Sequence, residues 1–235
     1  MRQIILDTET TGLEPEQGHR IIEIGCVELV KRRFTGNNYH CYLNPGREID
    51  EAAIEVHGIT LEKLQDEPHF EDIVEKLIDY LAGAELIIHN APFDVGFLDH
   101  ELKLTGLHLG RIADHCAVVD SLLMARKKHP GQRNSLDALC RRYSVDNSQR
   151  TFHGALLDAE ILGDVYLAMT GGQISFLTEG DETGRATAER KRRRGNGKRP
   201  MTPVISADEE ELALHQKWIE MLEKETGEAS PWRQI

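Results

Sequence analysis

The sequence predicts an α/β fold, a mixed five-stranded sheet flanked by helices, with a flexible C-terminal tail. The N-terminal half consists of short β-branched and apolar runs set close together: "QIILD", "RIIEIGCVELVKR" and "YHCYLNP". From residue 70 onward strands alternate with helical patterns, which adds parallel strands and places helices on both faces. Beyond residue 170 the apolar periodicity stops.

In chain order, "QIILD" reads as a central strand, "RIIEIGCVELVKR" as a strand of period near two, and "YHCYLNP" as a strand stopped by Asn-Pro. The spacing of Phe70, Ile73, Val74, Leu77, Ile78 and Leu81 predicts a helix that closes on Gly83. "AELIIHN" is the next buried strand, and a helix follows with Pro92 in its first turn and Gly106 at its end. "HCAVVDS" is the fifth strand, and helices are expected over 121–128, 134–143 and 154–169. The α/β body is assigned to residues 1–172, a linker to 173–205, and a helical docking segment to 206–235. The last rests on an S-x-x-E capping box at Ser206 and Glu209 and on Leu214, Trp218 and Leu222 at helical spacing.

With 40% hydrophobic and 29% charged residues, the 235-residue chain has the composition of a globular protein. There is no apolar run near the roughly eighteen residues that span a bilayer, and no signal-peptide pattern, so a cytoplasmic protein is expected. Cys26, Cys41, Cys116 and Cys140 form no C-x-x-C pair, which disfavours a zinc site or a disulfide framework. The net charge of −12 argues against strong nucleic-acid binding by the body alone. Residues 1–170 hold 17 basic and 28 acidic residues, so a nucleic-acid substrate requires a tether or metal ions to offset repulsion.

The chemistry-bearing residues begin with "LDTETTG". Asp7 and Glu9, two apart on a strand, face one way, and like charges at that separation call for a compensating cation. Mg²⁺ or Mn²⁺ suits such oxygen donors. Asp94 stands just after a strand end, where α/β sheets gather ligands, and His153 and Asp158 follow in "FHGALLDAEIL". Singly, each has an ordinary structural explanation: a solvated strand end, a helix N-terminus, a loop histidine or a solvent-facing acid.

Together, "LDTETTG", "HNAPFD" and "HGALLDA" resemble the motifs of the DEDD superfamily of 3′-to-5′ exonucleases, in the branch whose last motif is H-x-x-x-x-D. Within it, "RIIEIGCVELV", "GNNYH", "VHGI", "RNSLDALCRRY" and "TFHGALLDAEILGDVYLAMTGGQ" resemble the proofreading subunits of bacterial DNA polymerase III. The resemblance covers residues 1–173 and implies a ribonuclease H-like exonuclease fold. It implies two divalent ions, one held by Asp7, Glu9 and Asp158 and the second by Asp7 and Asp94, with His153 as general base. An imidazole titrates at about pH 6.5 in free solution, which suits that task. It further implies that Thr10 meets the terminal nucleotide, that Leu13 wedges between the last two bases, and that Val56, His57, His89 and Phe93 line the pocket, with Asp7, Glu9 and Asp158 also in contact with substrate. Core and loop packing explain Val56 and Phe93 equally well.

In the tail, Gln173, Phe176 and Leu177 resemble a sliding-clamp-binding peptide. The helix near 206–225, with Trp218 and Trp232 as aromatic anchors, would dock on the polymerase catalytic subunit. The basic run over 189–199 reads as DNA steering or as a charged linker. A small accessory subunit is a further partner that the resemblance allows, without a signature in the chain. Two other readings stay open: an RNA 3′-to-5′ exonuclease with the same motifs, and a non-catalytic scaffold.

Overall fold

The computed structural model describes residues 2–150, 152–171 and 208–227. The chain divides into two units, Met1–Gly180 and Asp181–Ile235. In the first, β1 (Arg2–Thr10), β2 (Ile21–Val30), β3 (Arg33–Phe34), β4 (Tyr39–Tyr42), β5 (Glu85–Ile88) and β6 (Ala117–Asp120) form one sheet. Its order is β3-β2-β1-β5-β6, with β4 also paired to β2. The N-terminal strands are antiparallel, and β5 and β6 run parallel to β1, so the sheet is mixed.

The five expected strands are present, and β3 is a sixth. It forms because Lys31 and Arg32 both take positive φ, 51° and 64°, between the paired Val30 and Arg33. That two-residue reversal normally advertises itself with Asn or Gly, and neither is there. Its Phe34 ring lies where a Cβ at Gly163 would be, 2.8 Å from the ring, so the small residue admits β3 against the helix beneath.

Helices α1 (Glu51–His57) and α2 (Leu61–Leu64), which the sequence analysis left unassigned, are short and held by a small cluster of Ile22, Ile49, Ile59 and Leu64. On one face of the sheet, α3 (Phe70–Leu81) and α4 (Ala91–Leu104) bury Val74, Leu77, Leu81, Phe97 and Leu98 against Ile4, Leu6 and Ile24. The six apolar positions predicted for α3 are all buried, each contributing about 1.5–3 kcal/mol relative to exposure. After α5 (Ile112–His115), α6 (Ser121–Lys128) and α7 (Leu136–Tyr143) come α8 (Ala155–Thr170), which covers the opposite face over Ile5, Val27, Leu29 and Ile87. Because both faces are covered, β2 is buried continuously from Ile21 to Leu29 and not on alternate residues.

In the second unit, α9 (Glu209–Thr226) is capped by Asp208, which accepts from Glu211 N at 2.8 Å while Glu211 reaches back to Asp208 N. The capping box observed on this helix is Asp208 with Glu211, and Ser206 lies outside the described residues. Asp caps as well as Ser, and D-x-x-E offers the same reciprocal pair two residues later. Leu214, Trp218 and Leu222 are exposed on this helix.

The first turn of α8 approaches the sheet closely at Gly25, which pairs with Asp7 across the β1–β2 ladder. A Cβ there would lie 2.2 Å from the backbone of Ala155 and Leu156, the first turn of α8. Gly25→Ala is expected to lower the unfolding free energy by at least about 1–3 kcal/mol, the cost of overpacking, read by urea denaturation. Gly96→Ala in α4, where a Cβ meets nothing within 4 Å, should raise it by about 0.5–1 kcal/mol.

Candidate active site

Strand parity builds the site. Ile4 and Leu6 point into the cluster shared with α3 and α4, and Ile5 into the one shared with α8. Asp7 and Glu9 share the parity of Ile5, so D-x-E aims both carboxylates at the start of α8, where Asp158 sits in the first turn. Thr8 has the opposite parity, and its hydroxyl donates to Asp94 Oδ1 at 2.7 Å. Asp94 reaches that point because Asn90, at φ 71° and ψ 51°, turns the chain directly from β5 into α4. Asparagine tolerates this left-handed conformation better than other residues with a Cβ. The β1–β2 register then slips between Glu9 and Thr10, a bulge that re-aims the chain beyond the two acids.

The start of α8 is held down by Glu23. Its Oε2 accepts from Ala155 N at 3.1 Å, and its Oε1 lies 2.8 Å from His40 Nε2. His153, just before the helix, is tied through its backbone N–H to Val56 O at 3.1 Å, which joins the two walls of the cleft.

These elements enclose a cavity of about 280 Å³ whose lining includes Asp7, Glu9, His89, Phe93, Asp94 and Asp158, with His153 and Arg150 at its side. Glu9, His153 and Asp158 present ligand atoms that all lie within 4.8 Å of one another. A second, more apolar cavity of about 420 Å³ shares Thr8, Glu9 and Phe93 with it and adds Thr10, Leu13, Val56 and His57. A larger groove of about 560 Å³ runs elsewhere, along α4 by Lys103 and Arg111; its lining includes Glu16, Asp99, His100 and His108, which do not converge into a metal-holding cluster.

Burial here works against ionisation. Burial, then the charges of Asp94, Glu9 and Asp158, raises Asp7 well above the usual carboxylate range. Burial, then Asp158 and Glu23, pushes Glu9 up to about 8. Asp94 rises to about 7 through burial, against the lowering effect of the Thr8 hydrogen bond. Asp158 behaves differently: burial raises it, but hydrogen bonds and charge from His153 and Arg150 outweigh burial and hold it below its ordinary value. Glu9, Asp94 and Asp158 are 8%, 4% and 2% exposed. Buried carboxylates that crowd one cavity and resist ionisation fit hard divalent cations, whose charge relieves both desolvation and mutual repulsion.

The other predicted contacts sit on the two cavities. Thr10 donates its hydroxyl to Gly12 O at 2.6 Å, and Leu13 stands 79% exposed at the rim. Val56 is exposed, and His57 is buried with Nδ1 accepting from Ile59 N at 3.0 Å. His89 Nδ1 lies 2.9 Å from Ser121 Oγ, and the Phe93 ring packs 5.0 Å from that of Phe97. Gln173, Phe176, Leu177 and Trp232 lie outside the described residues. Thr8, Glu23, Asp137 and Arg150 also belong to the site, and no sequence motif singles them out. Glu23 and Thr8 are invisible without the strand pairing that sets their faces, and Arg150 is one loop arginine with no periodicity around it.

Residues 4–166 match the family model described as Exonuclease. The DNA polymerase III subunit epsilon of Salmonella typhimurium is 52% identical over 241 aligned positions, covering 99% of this chain and 97% of the relative. The subunit of the same name from Escherichia coli is 51% identical with the same coverage. Among solved structures, Exonuclease X in complex with 5′ overhanging duplex DNA superposes with a TM-score of 0.57 at 25% identity, over 71% of this chain and 90% of that one. The nuclease domain of 3′hExo, a DEDDh family member bound to rAMP, gives 0.62 at 21% identity, over 72% and 90%. With an exonuclease match over most of its length and relatives half identical from end to end, the chain belongs to the DNA polymerase III subunit epsilon family of 3′-to-5′ exonucleases.

Proposed function

We propose that this exonuclease proofreads for DNA polymerase III, hydrolysing nucleotides from single-stranded or mismatched DNA 3′ ends and releasing 5′-mononucleotides. The observation that carries the reading is one cavity that joins Asp7, Glu9, Asp94, His153 and Asp158 and opens into an apolar cleft rimmed by Leu13. Asp7, Glu9 and Asp158 would hold one divalent ion, Mg²⁺ or Mn²⁺, and Asp7 with Asp94 would hold a second. When bound, such a pair draws charge from both the attacking and the leaving oxygen of an in-line displacement at phosphorus. His153, 47% exposed at its side chain, takes the proton from the attacking water as general base.

The neighbouring cleft receives the terminal nucleotide. Val56, His57, His89 and Phe93 pack about it, Thr10 and the adjacent backbone bind it, and Leu13 inserts behind the last base. Hydrolysis at a 3′ end needs that base unstacked, and a mismatched end frays more readily, so selectivity follows melting and not base identity.

The acidic body needs a tether, and α9 supplies a helix with Leu212, Leu214, Trp218, Met221 and Leu222 exposed for the polymerase catalytic subunit. Gln173, Phe176 and Leu177 bind the sliding clamp. Residues 1–172 are thus the exonuclease domain, 173–205 the linker and 206–235 the docking segment, and tethering raises the local concentration of a weak binder at the primer end. Among the described residues no helix is long and apolar enough to cross a membrane, in keeping with work in the cytoplasm.

His153→Ala and Asp7→Ala should each abolish nucleotide release from a mismatched primer in Mg²⁺ while circular dichroism stays unchanged. Near-normal rates in either would sink the assignment, and a preference for an RNA oligomer over frayed DNA would redirect it. Stability should depend on pH in a definite direction. Glu9 rises from its ordinary 4.5 to about 8 and Asp94 from 3.8 to about 7, so the folded state binds more protons than the unfolded one between these limits. In chelator, the melting temperature should therefore fall as pH rises from about 4.5 to about 8, and saturating Mg²⁺ should flatten the slope. A clamp-binding tail would show in calorimetry as weaker clamp affinity of the Gln173→Ala, Phe176→Ala peptide than of the native one.

A further inference from the structure

Arg150 is the cation already present in the carboxylate cage. Its Nε donates to Asp158 Oδ1 at 2.5 Å and its Nη2 to Asp158 Oδ2 at 2.6 Å, a two-pronged pairing that engages both carboxylate oxygens. Nη2 also lies 2.8 Å from His153 Nδ1, and Nη1 donates to Asp137 Oδ1 at 2.8 Å. The Arg150 side chain is 9% exposed, whereas that of Asp137, on α7 at the outer wall of the same cavity, is 48% exposed. The guanidinium is thus fastened to the proposed metal ligand on one side and to a solvent-facing acid on the other.

A divalent ion on Asp158 and the guanidinium on Asp158 cannot both keep full contact. They would be like charges a few ångströms apart on one carboxylate in a dry pocket, where repulsion is poorly screened. We propose that Arg150 is a positioning residue that serves as internal counter-cation of the cage, orienting Asp158 and His153 and yielding Asp158 as a divalent ion binds. The inference rests on the reading of Asp158 as a metal ligand. Asp137 gives the displaced guanidinium a place to stay.

The test is calorimetric titration of the full chain with Mn²⁺, paired with melting curves in chelator and in saturating Mn²⁺. Asp158→Asn should weaken Mn²⁺ binding, which checks the reading beneath the proposal. Arg150→Gln should tighten binding by about tenfold, the effect of one neighbouring unit charge on a carboxylate, and Arg150→Lys should fall between. In chelator Arg150→Gln should melt lower than the unsubstituted chain, and saturating Mn²⁺ should close that gap. An arginine that only supports the loop would leave the gap in both conditions and give unchanged or weaker Mn²⁺ affinity, which overturns the proposal while the Asp158 reading stands. If Asp158→Asn binds Mn²⁺ as well as the native protein, both fall together.

Discussion

Four carboxylates from three elements face one cavity, and their mutual repulsion with burial is the constraint around which the rest of the molecule is arranged. Asp7, Glu9, Asp94 and Asp158 would each be more stable ionised in water. What holds them is the sheet and its covering helices, which bury dozens of apolar side chains to keep strand ends and helix starts in register. The repulsion is left uneven: Asp158 is neutralised by Arg150, while burial and the neighbouring carboxylates raise Asp7, Glu9 and Asp94 above their ordinary values. A site with that imbalance would take up a divalent cation with loss of protons, which would couple metal loading to pH and stability.

Supports one step removed from the chemistry explain why the geometry is tight. Gly25 lets the first turn of α8 touch β2, and Glu23 caps that turn by accepting from Ala155 N. Thr8 fixes the Asp94 carboxylate from the opposite face of the strand that carries Asp7 and Glu9. One strand therefore organises both sides of the site, its odd positions through α8 and its even position through α4. The bulge after Glu9 sends the chain on to Thr10 and Leu13 and into the adjoining cleft.

Legibility in the sequence followed how local each signal is. The helix α3 carries its periodicity and stop within itself, and the predicted positions of α3, α6, α8, β2 and β5 match the structure to within a residue or two, whereas β1 runs on past "QIILD" to Thr10. Features that depend on long-range pairing did not show. The hairpin at Lys31-Arg32 has no turn residue to mark it, and α1 and α2 are too short for a helical period.

The motifs told of carboxylates and a histidine before any fold was in hand, because residue type and spacing on one strand or one helix turn are properties of local sequence. Asp7 and Glu9 had to share a face once "IILDTET" was a strand, since the side-chain period is two. The sequence could not say which face, or what would meet them there. That was decided by the packing of α8 on Gly25 and by a single arginine, 143 residues beyond Asp7, whose guanidinium reaches Asp158 only when the loop before α8 folds over it. The Arg150–Asp158 salt bridge spans only eight residues yet has no sequence period; it forms because tertiary structure brings the two charges together in a place dry enough for the pairing to matter.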